Sequence, residues 1–200
     1  MNMAKSTIFQ RIMVPGLLAL SLGACVSFGA KAPPSMLVLT STSSVTNGTV
    51  RSAAANEALV VLMPQSPRKL ETNRLPVQID DSSIAYLKDA VWADKPARLM
   101  QSLLMETIAS KSGRLVLNEV DTGGKGQQFL SGSLLEFGVD AASMEAVVVY
   151  DAVKLVRGQV VEKRRFEAKK SVTVMEAAPV GAALNDAAND VAGQIADWVG

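Results

Sequence analysis

The chain has 200 residues, 20 of them basic and 19 acidic, with one cysteine and no histidine. This near-neutral charge argues against nucleic acid as a partner, because a phosphate backbone selects a strongly basic face. The cysteine count and the lack of histidine exclude internal disulfides, Cys/His metal sites and mechanisms with histidine as general base.

The first 24 residues have the pattern of a secretory signal peptide. Two basic residues precede a short apolar run, residues 12–22, which is shorter than the about 20 residues that a membrane-spanning helix needs. Gly23 and Ala24 stand directly before Cys25, the only cysteine. This arrangement resembles a bacterial lipobox, in which the cysteine is lipidated and becomes the mature N-terminus. The alternative is an ordinary signal peptide whose cleavage site happens to adjoin Cys25.

The lipobox resemblance implies a covalent N-acyl diacylglycerol on Cys25. Each acyl CH₂ group buried in a bilayer contributes about 0.8 kcal/mol, and a stable anchor needs more than one chain. Val26 follows the cysteine, where such lipoproteins carry Asp when they are retained at the inner membrane. The resemblance therefore implies the outer membrane, with a tether over residues 25–35 and a periplasmic domain over residues 36–200.

The first part of this domain alternates apolar runs with polar segments. Residues 36–39 and 58–63 are continuous apolar runs, which predict strands covered on both faces and central in a sheet. Residues 41–55 are rich in Ser, Thr, Asn and Gly and predict a loop. Residues 77–79 and 84–87 flank an acidic pair and predict a short hairpin.

A helix is predicted over residues 96–111. Pro96 suits the first helical turn, apolar residues recur at 3.6-residue spacing, and Gly113 is a typical stop. Residues 114–117 predict a short strand, and the glycine-rich residues 122–126 predict a turn.

The last third predicts a meander followed by a helix. Residues 129–139, 143–155 and 160–174 are long segments rich in β-formers with short connections, which is typical of three antiparallel strands. Apolar residues then recur at three- and four-residue steps from Pro179 to Trp198. The predicted fold is α+β: a two-layer domain in which a mostly antiparallel sheet is packed by two amphipathic helices.

One block of sequence resembles a known family. Residues 86–101 read Tyr-Leu-Lys-Asp-Ala-Val-Trp-Ala-Asp-Lys-Pro-Ala-Arg-Leu-Met-Gln, and they resemble the signature of the ABC-type transport auxiliary lipoproteins, the PqiC-like partners of MCE lipid-transport systems. The lipobox, the meander and residues 72–75, 183–185 and 195–198 agree with this resemblance. It implies a non-enzymatic lipoprotein, with no catalytic residues, no metal and no dissociable cofactor, that docks onto a periplasmic MCE protein and supports envelope integrity. Such proteins can form rings, so a homo-oligomer is among the expected assemblies.

Three residues of this block have two interpretations. In the functional one, Tyr86, Trp92 and Arg98 form a partner-binding patch, because these residue types are common interface anchors. In the structural one, Trp92 packs under the first helix, Tyr86 ends a strand, and Arg98 pairs with a carboxylate such as Asp94.

The other candidate sites have simple structural interpretations. Residues 123–126 lack the spacing of a phosphate-binding loop and predict a hairpin turn. Asp80 and Asp81 are neighbours on a strand and point to opposite faces, which argues against paired acid/base chemistry. The basic residues 163–165 and 169–170 have two interpretations. They contact lipid headgroups or an acidic partner, or they protect an exposed strand edge from aggregation.

Two other functions remain as alternatives. The first is a structural or assembly lipoprotein that chaperones an outer-membrane β-barrel. The second is an envelope hydrolase, which is the weakest because a Ser/His/Asp triad needs a histidine and no Gly-x-Ser-x-Gly elbow is present.

Overall fold

The computed structural model describes residues 35–54, 56–123, 126–156 and 162–200. The predicted signal peptide, Cys25 and all but the last residue of the predicted tether lie outside these residues. So does the centre of the predicted turn at residues 122–126, of which the structure describes the two ends.

The described residues contain seven strands and three α-helices. Their bounds are β1 Leu59–Val61, β2 Arg74–Asp80, β3 Ser83–Val91, α1 Pro96–Ser112, β4 Val116–Leu117, α2 Glu119–Thr122, β5 Gln128–Asp140, β6 Glu145–Val156, β7 Glu162–Ser171 and α3 Ala177–Val199.

The long strand β5 organises the sheet. One of its edges pairs antiparallel with β6 along its whole length, and β6 pairs antiparallel with β7, so the predicted meander is confirmed. The other edge is shared by two parallel partners, β1 at the start of β5 and β2 at its end. Strand β4 flanks β1, and β3 flanks β2 as an antiparallel hairpin. The expected central position of the run at 58–63 is confirmed, because β1 is fully buried between β4 and β5.

The two long helices form the second layer. Helix α3 packs across β6 and β7, and α1 packs beside α3 and against β1 and β4. Alternate side chains of the meander point into this interface, among them Leu134, Phe137 and Val148, which are fully buried. The predicted α+β two-layer fold is therefore confirmed. Helix α1 begins at Pro96 and stops at Gly113, whose φ of 71° is the left-handed conformation that a helix stop requires.

The run at residues 36–39 is not the two-sided central strand that was expected. Only Leu37 pairs with the sheet, through a single bridge to Trp92 beyond the end of β3. Met36 and Val38 are 59% and 57% exposed, whereas Leu37 and Leu39 pack against the core. Successive side chains of an extended segment point to opposite sides. Only one side of this segment is covered by the core, so only alternate side chains pack against it.

Several boundaries also differ from the predictions. The hairpin is longer than expected and β3 contains an irregularity near Asp89, whose φ is 58°. Tyr86 lies within β3 rather than at its end. Helix α3 begins two residues before Pro179. The short helix α2 was not predicted, although Asn118 forms a capping box with Asp121 that stabilises its first turn.

The predicted loop at residues 41–55, of which the structure describes all but the last residue, is a strap held on the two helices. Asn189 of α3 accepts hydrogen bonds from the backbone N–H of Thr42 at 2.8 Å and donates to the carbonyl of Thr40 at 2.9 Å. Glu106 of α1 accepts from the backbone N–H of Val45 at 2.6 Å. Side chains of the two helices therefore pair with the backbone groups of Thr40, Thr42 and Val45, which would otherwise need partners in a neighbouring strand.

Candidate functional site

The face of the sheet away from α1 and α3, here called the open face, carries apolar side chains. Strand β6 is apolar on both sides: Val148 and Tyr150 are buried under the helices, whereas Val147, Val149 and Val153 are half-buried on the open face and stand outside the core cluster. A sheet with one face in water normally alternates apolar and polar residues. The sequence contains a signal for this surface, the run of three valines at residues 147–149 in β6. The predicted meander did not take it as evidence that both faces of β6 are apolar.

A concavity of about 330 Å³ lies on the open face. Its floor is formed by Pro76 of β2, Gly138 of β5, and Val147 and Val149 of β6. Glycine is needed at position 138, because a Cβ atom there would lie 2.5 Å from the carbonyl oxygen of Pro76. The close approach of β2 to β5 therefore leaves the floor without a covering side chain.

Charged side chains form the rim of the concavity. Lys69 Nζ lies 2.6 Å from Glu136 Oε2, and Lys169 Nζ lies 3.0 Å from Glu167 Oε1. The hydrogen bond and charge of Glu167 raise the pKa of Lys169. Both lysines are therefore already paired with a carboxylate of the same rim.

The β5–β6 turn closes one end of the concavity. Asp140 accepts hydrogen bonds from the backbone N–H groups of Ala142 at 2.8 Å and Ser143 at 2.9 Å. The Ser143 N–H and, from β7, the charge of Lys169 hold the pKa of Asp140 below its usual value. Glu145 is the register partner of Asp140, so two acidic residues stand opposite each other at this end of β5 and β6.

Farther along the open face, Asp151 joins β6 to the edge strand β7. Arg165 donates to it from Nε at 2.7 Å and Nη2 at 3.0 Å, and Lys163 Nζ lies 2.9 Å away. Asp151 is 6% exposed, and the hydrogen bond from Arg165, supported by Lys163, lowers its pKa to about 2. The basic run on β7 thus lies on an edge strand, as the edge-protection interpretation requires, and two of its cations hold that edge to the sheet.

The Asp151 cluster predicts how stability depends on pH. A depressed folded-state pKa means that the ionised form stabilises the fold above the ordinary value of 3.8, and that this contribution is lost as the pH falls towards about 2. We expect the unfolding free energy of the parent to drop between these pH values more steeply than that of Asp151→Asn. Denaturant titrations at several pH values from 5 to 2 measure both.

A matched control for this prediction is Asp81→Asn, which changes an exposed carboxylate in the β2–β3 turn. It should leave the acid dependence of the parent unchanged. Parallel stability curves for the parent and Asp151→Asn would contradict the assigned role of Asp151.

The structure does not bring the three predicted patch residues together. Trp92 is fully buried and its ring lies 5.1 Å from that of Phe137, which favours the packing interpretation. Tyr86 is the register partner of Pro76 on the open face, and the guanidinium of Arg74 lies 4.4 Å from its ring centre. Arg98 is 64% exposed in the first turn of α1, and its Nε lies 3.1 Å from Asp94.

The open face offers a binding surface built from an apolar floor and a charged rim. Within the described part of the chain, no three Cys, Asp or Glu side chains are grouped so that they could hold a metal ion. In the same residues, no helix is both long and apolar enough to cross a membrane.

A family model for the ABC-type transport auxiliary lipoprotein component matches residues 39–196. The chain belongs to this family. The resemblance seen in residues 86–101 is thereby confirmed. In this auxiliary lipoprotein, the matched residues include the strap, the whole sheet and most of α3. Its family is named for an accessory role in transport, which agrees with the expected non-catalytic function. No curated protein matches the chain.

Solved structures share the fold of this auxiliary lipoprotein. Protein XCC0632 of Xanthomonas campestris, described as family DUF330, is 18% identical with a TM-score of 0.69, covering 82% of this chain and 94% of that one. An uncharacterised protein is 17% identical with a TM-score of 0.62, covering 72% and 93%. PelC of Paraburkholderia phytofirmans, solved as a dodecamer, is 10% identical with a TM-score of 0.45, covering 74% and 90%. At such identities, the first two show a common fold.

Proposed function

We propose that this auxiliary lipoprotein is a non-enzymatic, outer-membrane-anchored component of an ABC/MCE-type lipid-transport system that docks to the periplasmic MCE protein. The family match over residues 39–196 carries the proposal. The lipobox ending at Cys25 and the following Val26 support an anchor in the outer membrane. In this role the lipoprotein supports envelope integrity by holding a partner, while ATP hydrolysis belongs to another subunit.

The surface of the domain supports docking rather than chemistry. Val147 and Val149 on the open face are only half-buried, although a strand that is apolar on both sides is typical of a sheet covered on both faces, and this supports contact with another protein. Tyr86, on the same face, and Arg98, on α1, are accessible anchors of the types enriched at interfaces, and they remain candidates for partner binding. Trp92 contributes to docking only by supporting β3 from within the core.

An affinity pull-down tests the proposed function. The full-length lipoprotein is captured from detergent-solubilised envelope, and its partners are identified by mass spectrometry. Recovery of an MCE-domain protein together with a permease and an ATPase is the expected result. Recovery of an outer-membrane barrel protein alone would overturn the proposal in favour of the assembly role.

Lipidation of Cys25 gives a separate prediction. In Cys25→Ser the acceptor thiol is absent, so metabolic labelling with a palmitate analogue should fall to background. Ser27→Ala, two residues away, should remain labelled like the parent. Undiminished labelling of Cys25→Ser would rule out this cysteine as the attachment point.

A further inference from the structure

The concavity on the open face combines two features that an isolated domain does not need. Its floor exposes Val147 and Val149, on a strand whose other face is already buried under the helices. Continuous apolar character in a strand is typical of sheets covered on both faces. The residues that cover the second face are therefore expected to come from outside this domain.

The rim of the concavity has an excess of negative charge. It contains four carboxylates and two lysines, and Lys69 and Lys169 are each already paired with a glutamate. Glu145 makes no hydrogen bond or ion pair with another described residue and stands opposite Asp140 in the register. The pKa of Lys169 is raised first by Glu167 and then by Glu145 and Asp140, so one lysine is shared among three carboxylates. Like charges opposite each other on a sheet destabilise it. A cation placed between these two carboxylates would relieve that repulsion.

We infer that the concavity binds a short basic segment of the partner protein, with a lysine or arginine head between Asp140 and Glu145 and its aliphatic stem over Val147 and Val149. Lysine and arginine combine an apolar stem with a charged head, so one such side chain matches both the floor and the rim. Arginine also offers two parallel donors to a carboxylate. The volume of about 330 Å³ is at the small end of ligand pockets and suits a few side chains rather than a whole helix. This inference rests on the proposed docking function.

Charge favours a protein segment over a membrane surface. Anionic lipid headgroups attract basic patches, whereas the rim of this concavity carries more carboxylates than lysines. Of the basic residues of β7, Lys169 is already counted in this rim, whereas Lys163 and Arg165 are held by Asp151 farther along the strand. Finding a lipid or a second copy of the chain in the concavity would therefore contradict the inference.

Photo-crosslinking in cells locates the occupant. The full-length lipoprotein carries p-benzoylphenylalanine in place of Ser143, an exposed residue on the rim, or in place of Ala182, an exposed residue of α3. We expect the first variant to crosslink to a partner peptide that contains lysine or arginine, and the second not to do so. Crosslinks from position 143 to lipid, to a second copy or to a peptide without basic residues would overturn the inference.

Charge reversal provides the quantitative test. With the transport protein recovered in the pull-down, Glu145→Lys should weaken binding at least tenfold and Glu145→Gln less, whereas Asp186→Lys, on the exposed side of α3, should bind like the parent. Glu145→Lys removes the repulsion from Asp140 but adds repulsion from Lys169, whose pKa Glu145 helps to raise, so the melting temperature of the variant is measured beside its binding to show that it is folded. Equal binding by Glu145→Lys and the parent would overturn the inference and leave the proposed function standing. Failure of the parent to recover any transport component would instead overturn the proposed function.

Discussion

Replacing Trp92 by alanine should lower the free energy of unfolding by about 3–5 kcal/mol, the cost typical of truncating a large buried aromatic residue. The ring is fully buried, lies 5.1 Å from that of Phe137, and belongs to the residue whose bridge to Leu37 ties the segment before the strap to the sheet. Its removal therefore leaves a cavity in the core. Equilibrium denaturation of the parent and the variant measures the difference.

Two controls make this result specific. Trp92→Phe keeps a buried ring, and it loses no hydrogen bond because the Trp92 Nε1 atom has no partner among the described residues, so it should cost much less. Trp198→Ala removes the same residue type from a half-buried site beside Phe166, where a smaller loss is expected. A Trp92→Ala variant as stable as the parent, with partner binding unchanged, would contradict both interpretations of this residue.

Replacing Gly132 by alanine should lower the free energy of unfolding by about 2–3 kcal/mol, at the upper end of the usual cost of overpacking. A Cβ atom at this position of β5 would collide with the backbone carbonyl of Asp151 on β6 and lie 2.5 Å from the ring of Tyr150. That ring is fully buried under the helices and has no room to move. The clash is relieved only by separating β5 from β6, the longest pairing in the sheet.

Gly193→Ala is the matched control for Gly132→Ala. Gly193 lies within α3, and the nearest atom to an added Cβ is the flexible end of Lys111 at 3.9 Å. Alanine is favoured over glycine in a helix interior by about 0.5–1 kcal/mol, so this variant should gain stability. If denaturant unfolding showed that Gly132→Ala is as stable as Gly193→Ala, the predicted clash between β5 and β6 would be contradicted.

The elements that the sequence predicted well have local causes. Helix α1 starts at Pro96 and stops at Gly113 because proline suits a first turn and glycine adopts the left-handed stop without strain. The meander follows from long runs of β-formers with short connections, which leave antiparallel pairing as the simple solution. The family resemblance needed only the order of residues in one block, and the match over residues 39–196 extends it to the domain.

The candidate site depended on contacts between distant segments of the chain, which could not be predicted from the sequence. Tyr86, Trp92 and Arg98 are neighbours in the sequence, yet they lie on the open face, in the core and on the helix layer, because the chain passes from strand to helix between them. The concavity joins β2 to β5 and β6, which are far apart in the sequence, through the parallel pairing of Gln78 with Asp140.

By itself, the sequence determined the two long helices, the meander and the family, since each of these depends on neighbouring residues or on a periodic pattern, while the lipobox stays a prediction. Only the tertiary structure decided which face of β6 the helices cover, and that β5 shares one edge between two parallel strands. Because β6 is apolar on both faces, its pattern does not select the face that packs. The helices make that choice, and the half-buried valines on the other face, with Asp140 and Glu145 beside them, form the concavity that we propose as the docking surface.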